Sequence, residues 1–181
     1  MRRTLCLLAA LWLTACGGSE PKPRAPARAA EPQQVELDWR ESYPATGKRL
    51  VFAVDRLAVR KLGWSVDIAV TNSTSIPFAA GVRQLRPAYG LMLFATDDLA
   101  ELEQQSAQGG LPPLRRATTI EPEPPSTLAP GETWRATLAG RGSLPAGSYV
   151  RVSLGPFQAV GEPPEGMERS VVWITDHAHG L

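Results

Sequence analysis

The chain has 181 residues, with 19 Lys and Arg against 18 Asp and Glu, so its formal net charge is +1. This near-neutral mixture of both signs excludes a nucleic-acid-binding protein of the usual basic kind, and we expect no nucleic-acid partner. The length allows one domain with a two-layer core but not two independent domains.

The N-terminus carries the most specific motif. Met1-Arg2-Arg3 precedes an apolar run from Leu5 to Leu13, which ends in Leu13-Thr14-Ala15-Cys16. The apolar stretch is too short for a membrane span, which needs about 20 helical residues. This order resembles a bacterial lipoprotein signal, with a positive start, a short apolar region and a lipobox. The alternative is an ordinary secretory signal in which Cys16 stands by chance.

The resemblance implies that residues 1–15 are removed and that Cys16 becomes the first residue and carries a diacylglycerol. Loss of Arg2 and Arg3 would leave 17 basic against 18 acidic residues, a net charge of −1. Cys6 would leave with the signal and Cys16 would be acylated. No thiol would then remain for a disulfide, a zinc cluster or a nucleophile.

The same resemblance predicts the location of the protein. Two or more acyl chains hold a protein stably on a bilayer. Gly17 follows the cysteine in place of the usual retention aspartate. We therefore expect the periplasmic face of the outer membrane in a two-membrane cell, and otherwise the outer face of the plasma membrane.

The composition divides the chain into three segments. Residues 1–15 form the predicted signal peptide, and residues 16–34 form a linker rich in Pro and Ala that buries little apolar surface. The linker is either a spacer of selected length or simple disorder. Residues 35–181 form the predicted β-domain.

Apolar residues alternate with polar ones in the first part of this domain, which predicts half-buried strands. Val35, Leu37 and Trp39 alternate, and so do the residues between Trp64 and Val70. Between Leu50 and Val59 the apolar set changes phase at Asp55-Arg56, which predicts a bulge or a strand that passes between sheets. Short polar residues at 72–75 predict a turn.

The second part adds further strands and one insertion. Residues 89–96 are apolar on both faces, which predicts a strand covered on both sides. Asp97-Asp98 predict the cap of a short helix with Leu99 and Leu102 on one face. Prolines interrupt residues 111–130, and three more strands are predicted at 134–138, 149–154 and 170–175. Seven or eight short strands and one inserted helix predict an all-β antiparallel sandwich.

The domain resembles the immunoglobulin-like sandwiches of bacterial surface lipoproteins, and more narrowly the bacterial intracellular proteinase inhibitor family. The segments that carry this resemblance lie at residues 68–74, 128–134 and 144–149 and in the Tyr89 strand. Residues 144–149 resemble a tyrosine corner, but Arg151 stands where antibody-type domains have a buried cysteine. Tyr149 therefore belongs either to a differently oriented corner or to the outer face. No inhibitory loop carries over residue by residue.

Candidate chemistry is sparse. Asp176, His177 and His179 could begin a metal site if the last strand continued, but a solvated, fraying tail accounts for them better. Asp97-Asp98 could act as an acid–base pair, which helix capping explains without further assumption. Trp173 is the tryptophan least constrained by packing, and so the candidate for a sugar platform. We expect no enzyme activity and no cofactor.

The sequence thus predicts a non-enzymatic binding or assembly module of the cell envelope. Its expected partners are the membrane, through the lipid on Cys16, and an envelope protein. The predicted recognition surface is the long connection formed by residues 97–130. The alternatives are a protease inhibitor-like domain and, less favoured, a metal-binding envelope protein.

Overall fold

A computed structural model describes residues 28–81 and 87–181. Cys16, the predicted signal peptide and most of the predicted linker lie outside the described residues. Within those ranges the chain forms eleven strands and one helix, in the order β1 (Gln33–Tyr43), β2 (Leu50–Arg60), β3 (Gly63–Asn72), β4 (Phe78–Ala79), β5 (Gly90–Phe94), α1 (Leu99–Ala107), β6 (Leu114–Arg116), β7 (Thr119–Glu121), β8 (Thr133–Arg141), β9 (Tyr149–Ala159), β10 (Ser170–Ile174) and β11 (His179–Gly180).

The strands form two antiparallel sheets. Sheet 1 has the order β1-β2-β3-β8-β7, and sheet 2 has the order β10-β9-β5-β6, with β4 and β11 also paired to β9. Seven of the described strands have five or more residues and the other four have two or three. The predicted all-β antiparallel sandwich with one short helix is confirmed.

The predicted alternation accounts for the core between the sheets. In β3, Trp64, Val66, Ile68 and Val70 are at most 2% exposed, and they point towards sheet 2. Phe52 of sheet 1 meets Phe157 of sheet 2 with ring centroids 5.7 Å apart.

The phase change in β2 is a bulge. The pairing of β2 with β3 shifts between Val54 and Arg56, so Asp55 is the extra residue. Opposite this point, the pairing of β1 with β2 also shifts, between Glu36 and Trp39. Since β2 keeps both neighbours in sheet 1, the alternative of a strand crossing between sheets is wrong.

Helix α1 begins as predicted. Asp98 is its N-cap, and the Asp98 carboxylate accepts a hydrogen bond from the Ala100 amide. Leu102 is fully buried, whereas Leu99 is 45% exposed, so the two leucines do not share one buried face. No helix in the described ranges has the length and apolar character that a membrane span requires.

The helix lies on the outer face of sheet 2. Arg151 of β9 donates from Nη1 to Ser106 Oγ of α1 at 2.9 Å, and its guanidinium lies 5.7 Å from the centroid of the Phe94 ring. This cover explains why β5 is apolar on both faces, and why Arg151 is buried although it points away from the main core.

The two ends of the sandwich differ in what they carry. One end, which we call the tether end, holds residues 28–30, the β2–β3 turn, the β8–β9 loop and the C-terminus. The Ala30 amide donates to Leu144 O and the Ala146 amide donates to Arg28 O, so contacts with the sandwich begin inside the stretch predicted as linker. The opposite, far end holds the loops at 44–49, 73–77, 122–132 and 160–169.

Candidate functional site

The C-terminal tail is ordered, which corrects the expectation that it frays. His179 and Gly180 form β11 and pair with Val150 and Tyr149 of β9. The Leu181 amide donates to Ser148 O at 2.8 Å. A fraying end was expected because nothing in the local sequence shows that β9 has a free edge at this point.

Glu41 of β1 holds the segment that leads into this tail. Its carboxylate accepts hydrogen bonds from Trp173 Nε1 at 2.7 Å, from the Asp176 amide at 2.9 Å and from the His177 amide at 3.0 Å. His177 Nδ1 lies 2.6 Å from the same carboxylate. The Glu41 side chain is 7% exposed. Its lone pairs are therefore occupied by the protein itself, which leaves none for a metal ion.

The three metal candidates do not converge. Asp176 is exposed, and the His177 ring stacks on Trp39 with centroids 5.6 Å apart. His179 is half-buried, and burial lowers the pKa of its ring. Among residues 28–81 and 87–181, no three His, Cys, Asp or Glu side chains are grouped as a metal site.

Trp173 is constrained, contrary to expectation. Its ring stacks on Phe52 with centroids 5.2 Å apart and an interplanar angle of 2°, and its N–H is bound to Glu41. A free sugar platform is therefore wrong for this residue. Trp64 and Trp134 lie in the core.

Tyr149 lies on the outer face of sheet 2. It pairs with Phe94, whereas its neighbour Val150 joins the main core. A different tyrosine makes a buried hydroxyl contact: Tyr89 donates to Ala80 O at 2.9 Å. Burial raises the pKa of the Tyr89 phenol, so it stays a neutral donor.

A cleft of about 490 Å³ opens beside Tyr89, a volume within the range of ligand-binding pockets. Six of its described lining residues belong to the connection at 97–130 that the sequence predicted as a recognition surface. Two of the six, Thr119 and Ile120, lie in β7. The described lining consists of Ala80, Gly81, Pro87, Tyr89, Ala117, Thr118, Thr119, Ile120, Glu123, Pro124 and Pro156. Residues 82–86, between Gly81 and Pro87, lie outside the described ranges.

Hydrogen bonds fix the walls of this cleft. The Ala117 amide donates to Tyr89 O at 2.9 Å and the Thr118 amide donates to Ala139 O at 2.7 Å. This short segment therefore joins the edge of sheet 2 to the edge of sheet 1. The Tyr89 ring is held edge-on against Trp134, with centroids 5.7 Å apart.

One sheet edge lies at the cleft, because Thr119 and Ile120 of β7 line it, and β6 ends next to its wall at Ala117. In the described part of the fold, β7 is the last strand of sheet 1 and β6 is the last strand of sheet 2. A terminal strand presents unpaired N–H and C=O groups to which an extended segment can bond. The lining is mainly Pro, Ala, Ile and Tyr, with one carboxylate, Glu123.

The arrangement is suited to binding rather than to bond-making, because apolar walls and backbone edges dominate it. Sequence reasoning found the 97–130 wall through its length and proline content. It missed the wall formed by Ala80, Gly81 and Tyr89, which belongs to distant segments. No protein-family model, curated protein or solved structure matches this chain.

Proposed function

We propose that this protein is a lipid-anchored, non-enzymatic binding module of the cell envelope. The lipobox at Leu13-Thr14-Ala15-Cys16 supports the anchor. The cleft beside the β7 edge supports the binding role, and it is the observation that carries the proposal. The expected ligand is an extended segment of an envelope protein.

The chemistry of the cleft favours such a segment. Apolar walls can bury alternate side chains of an extended chain, and the edge strand β7 can pair with its backbone. Gly81 and Pro124 lie close together in the lining, since a Cβ at Gly81 would lie 3.3 Å from Pro124 O.

Crosslinking in the native envelope tests the binding role. A photoreactive residue at Thr119 should crosslink a discrete partner, and Thr119→Trp, which fills the cleft, should reduce partner recovery about tenfold or more, equivalent to about 1.4 kcal/mol or more. Thr46→Trp is the matched control, because Thr46 is exposed in the β1–β2 loop at the opposite edge of sheet 1.

Equal recovery of the partner with both variants would overturn the assignment of the cleft. If the crosslinked partner is a protease and the domain inhibits it, the binding module is an inhibitor, as the resemblance to the proteinase inhibitor family implies.

Labelling tests the anchor separately. Cells supplied with labelled fatty acid should incorporate it into the wild-type protein, and Cys16→Ala should abolish the label and move the protein out of the membrane fraction, because one thioether holds the diacylglycerol. Cys6→Ala is the control, since Cys6 precedes the predicted cleavage point. Membrane retention of Cys16→Ala at the wild-type level would contradict the lipoprotein assignment.

A further inference from the structure

The charges of the domain are separated between its two ends. At the tether end, Arg60 and Lys61 of the β2–β3 turn are exposed, and so are Arg115 and Arg141 beside them. At the far end, five exposed carboxylates outnumber the exposed cations Lys48, Arg49 and Arg169: Glu123, Glu132, Glu162, Glu165 and Glu168. A chain of almost zero net charge thus carries a basic pole and an acidic pole.

The four cations surround one turn. The Gly142 amide donates to Leu62 O at 3.0 Å, which places the β2–β3 turn against the β8–β9 loop. Arg115 donates from Nη1 to Ser143 O of the same loop at 2.8 Å. None of the four forms an ion pair with a carboxylate among the described residues.

Other charges at this end are of both signs. Arg28 is paired with Glu31 at 2.6 Å. Asp97 and Asp98 lie at the sheet 2 side, where Asp98 is occupied as the cap of α1. At the tip of the turn, Leu62 is 85% exposed between Lys61 and Gly63. One exposed leucine is ordinary by itself, but here it lies close to four cations that form no ion pair.

The place where the chain enters the domain selects which end meets the membrane. Arg28 O is bonded to Ala146 N, so the chain from Cys16 arrives at the tether end. The twelve residue-to-residue steps from Cys16 to Arg28 span at most about 43 Å, however they are arranged. The eleven residues of β2 span about 35 Å from one end of the sandwich to the other. A bilayer contact by the far end would therefore need an almost fully extended connection.

We propose that the tether end, through Arg60, Lys61, Arg115 and Arg141 with Leu62 between them, docks on the anionic phospholipid surface that holds the anchor. This inference rests on the proposed lipid anchor. The acyl chains retain the protein, and the cations set its orientation, with the acidic pole directed away from the bilayer. Each Lys or Arg near an anionic surface strengthens binding by about fivefold.

The test uses the chain from Cys16 to Leu181, which contains every described residue and a single thiol. Coupling this thiol to a maleimide lipid in nanodiscs replaces biological acylation. Failure of acylation in cells and failure of docking are therefore distinguishable. Paramagnetic headgroup lipids then report which amides approach the surface. In nanodiscs containing phosphatidylglycerol, the amides of residues 60–63 and 141–143 should broaden, and those of Glu162 and residues 165–168 should not.

Matched charge reversals complete the design. Lys61→Glu with Arg141→Glu should lower the docked population about tenfold or more, since two attractive charges become repulsive. Lys48→Glu with Arg49→Glu, an exposed basic pair at the far end, should leave the broadening unchanged. Equal broadening of both ends, or the same pattern in nanodiscs of phosphatidylcholine alone, would overturn the proposal. An unchanged broadening pattern after Lys61→Glu with Arg141→Glu would also overturn the proposal.

Discussion

Replacing Glu41 by Gln should lower the free energy of unfolding by about 3 kcal/mol and lower Tm by about 6–12 °C. The buried carboxylate accepts hydrogen bonds from three N–H groups and faces His177 Nδ1. An amide keeps the shape but turns an NH₂ group towards one of these donors. At least one buried N–H is then left without an acceptor.

The control for this change lies on the same strand. Glu36 of β1 is exposed, and Glu36→Gln should alter the free energy of unfolding by less than about 0.5 kcal/mol. Thermal melting of both variants measures the difference. Hydrogen exchange at the Asp176 and His177 amides should accelerate in Glu41→Gln alone. Equal melting temperatures for the two variants would show that the carboxylate does not hold the tail.

Structural features that depend on residues close together in the sequence could be predicted. The alternation in β3 depends on a period of two and a buried inner face, and the bulge at Asp55 appears in the sequence as a change of phase. The cap at Asp98 needs only the amide two residues on. Each of these depends on a few consecutive residues.

Contacts between distant segments could not be predicted. Trp173 and Glu41 are 132 residues apart, and nothing near Glu41 distinguishes it from the other acidic residues of β1. Likewise, the sequence indicates a short helix at 99–107 but not that it lies over Arg151. These contacts depend on which strands become neighbours, and that is a property of the whole topology.

The candidate cleft combines both kinds of information. Its 117–124 wall lies in a long proline-rich connection, a signal that can be read locally. Its other wall is brought into place by β4 and β5, which pair with β9. The sequence therefore indicated a recognition segment but not the cavity that this segment helps to enclose.

One buried side chain joins two chain segments that lead into the two walls. Asn72 is completely buried at the end of β3, and its Nδ2 donates to Ile76 O at 2.8 Å and to Leu128 O at 2.9 Å. Its Oδ1 accepts from the amide and the hydroxyl of Thr74. Leu128 in turn pairs with Phe78. The predicted turn at 72–75 is thus confirmed, and its first residue also bonds a segment 56 residues away.

Asn72→Ala should therefore cost about 3 kcal/mol, because the Thr74 amide loses its buried acceptor and the Leu128 carbonyl keeps only the Phe78 amide as a donor. The Leu128 and Phe78 amides should exchange faster, since Asn72 supports the bridge between them. Partner recovery at the cleft should also fall, because the segments that lead to Gly81 and Pro124 are no longer joined. Ser73→Ala is the control, since Ser73 is exposed and bonds Arg49 O through its backbone amide alone. A melting temperature of Asn72→Ala equal to that of Ser73→Ala would contradict this role, because a completely buried amide with four partners cannot be removed without loss.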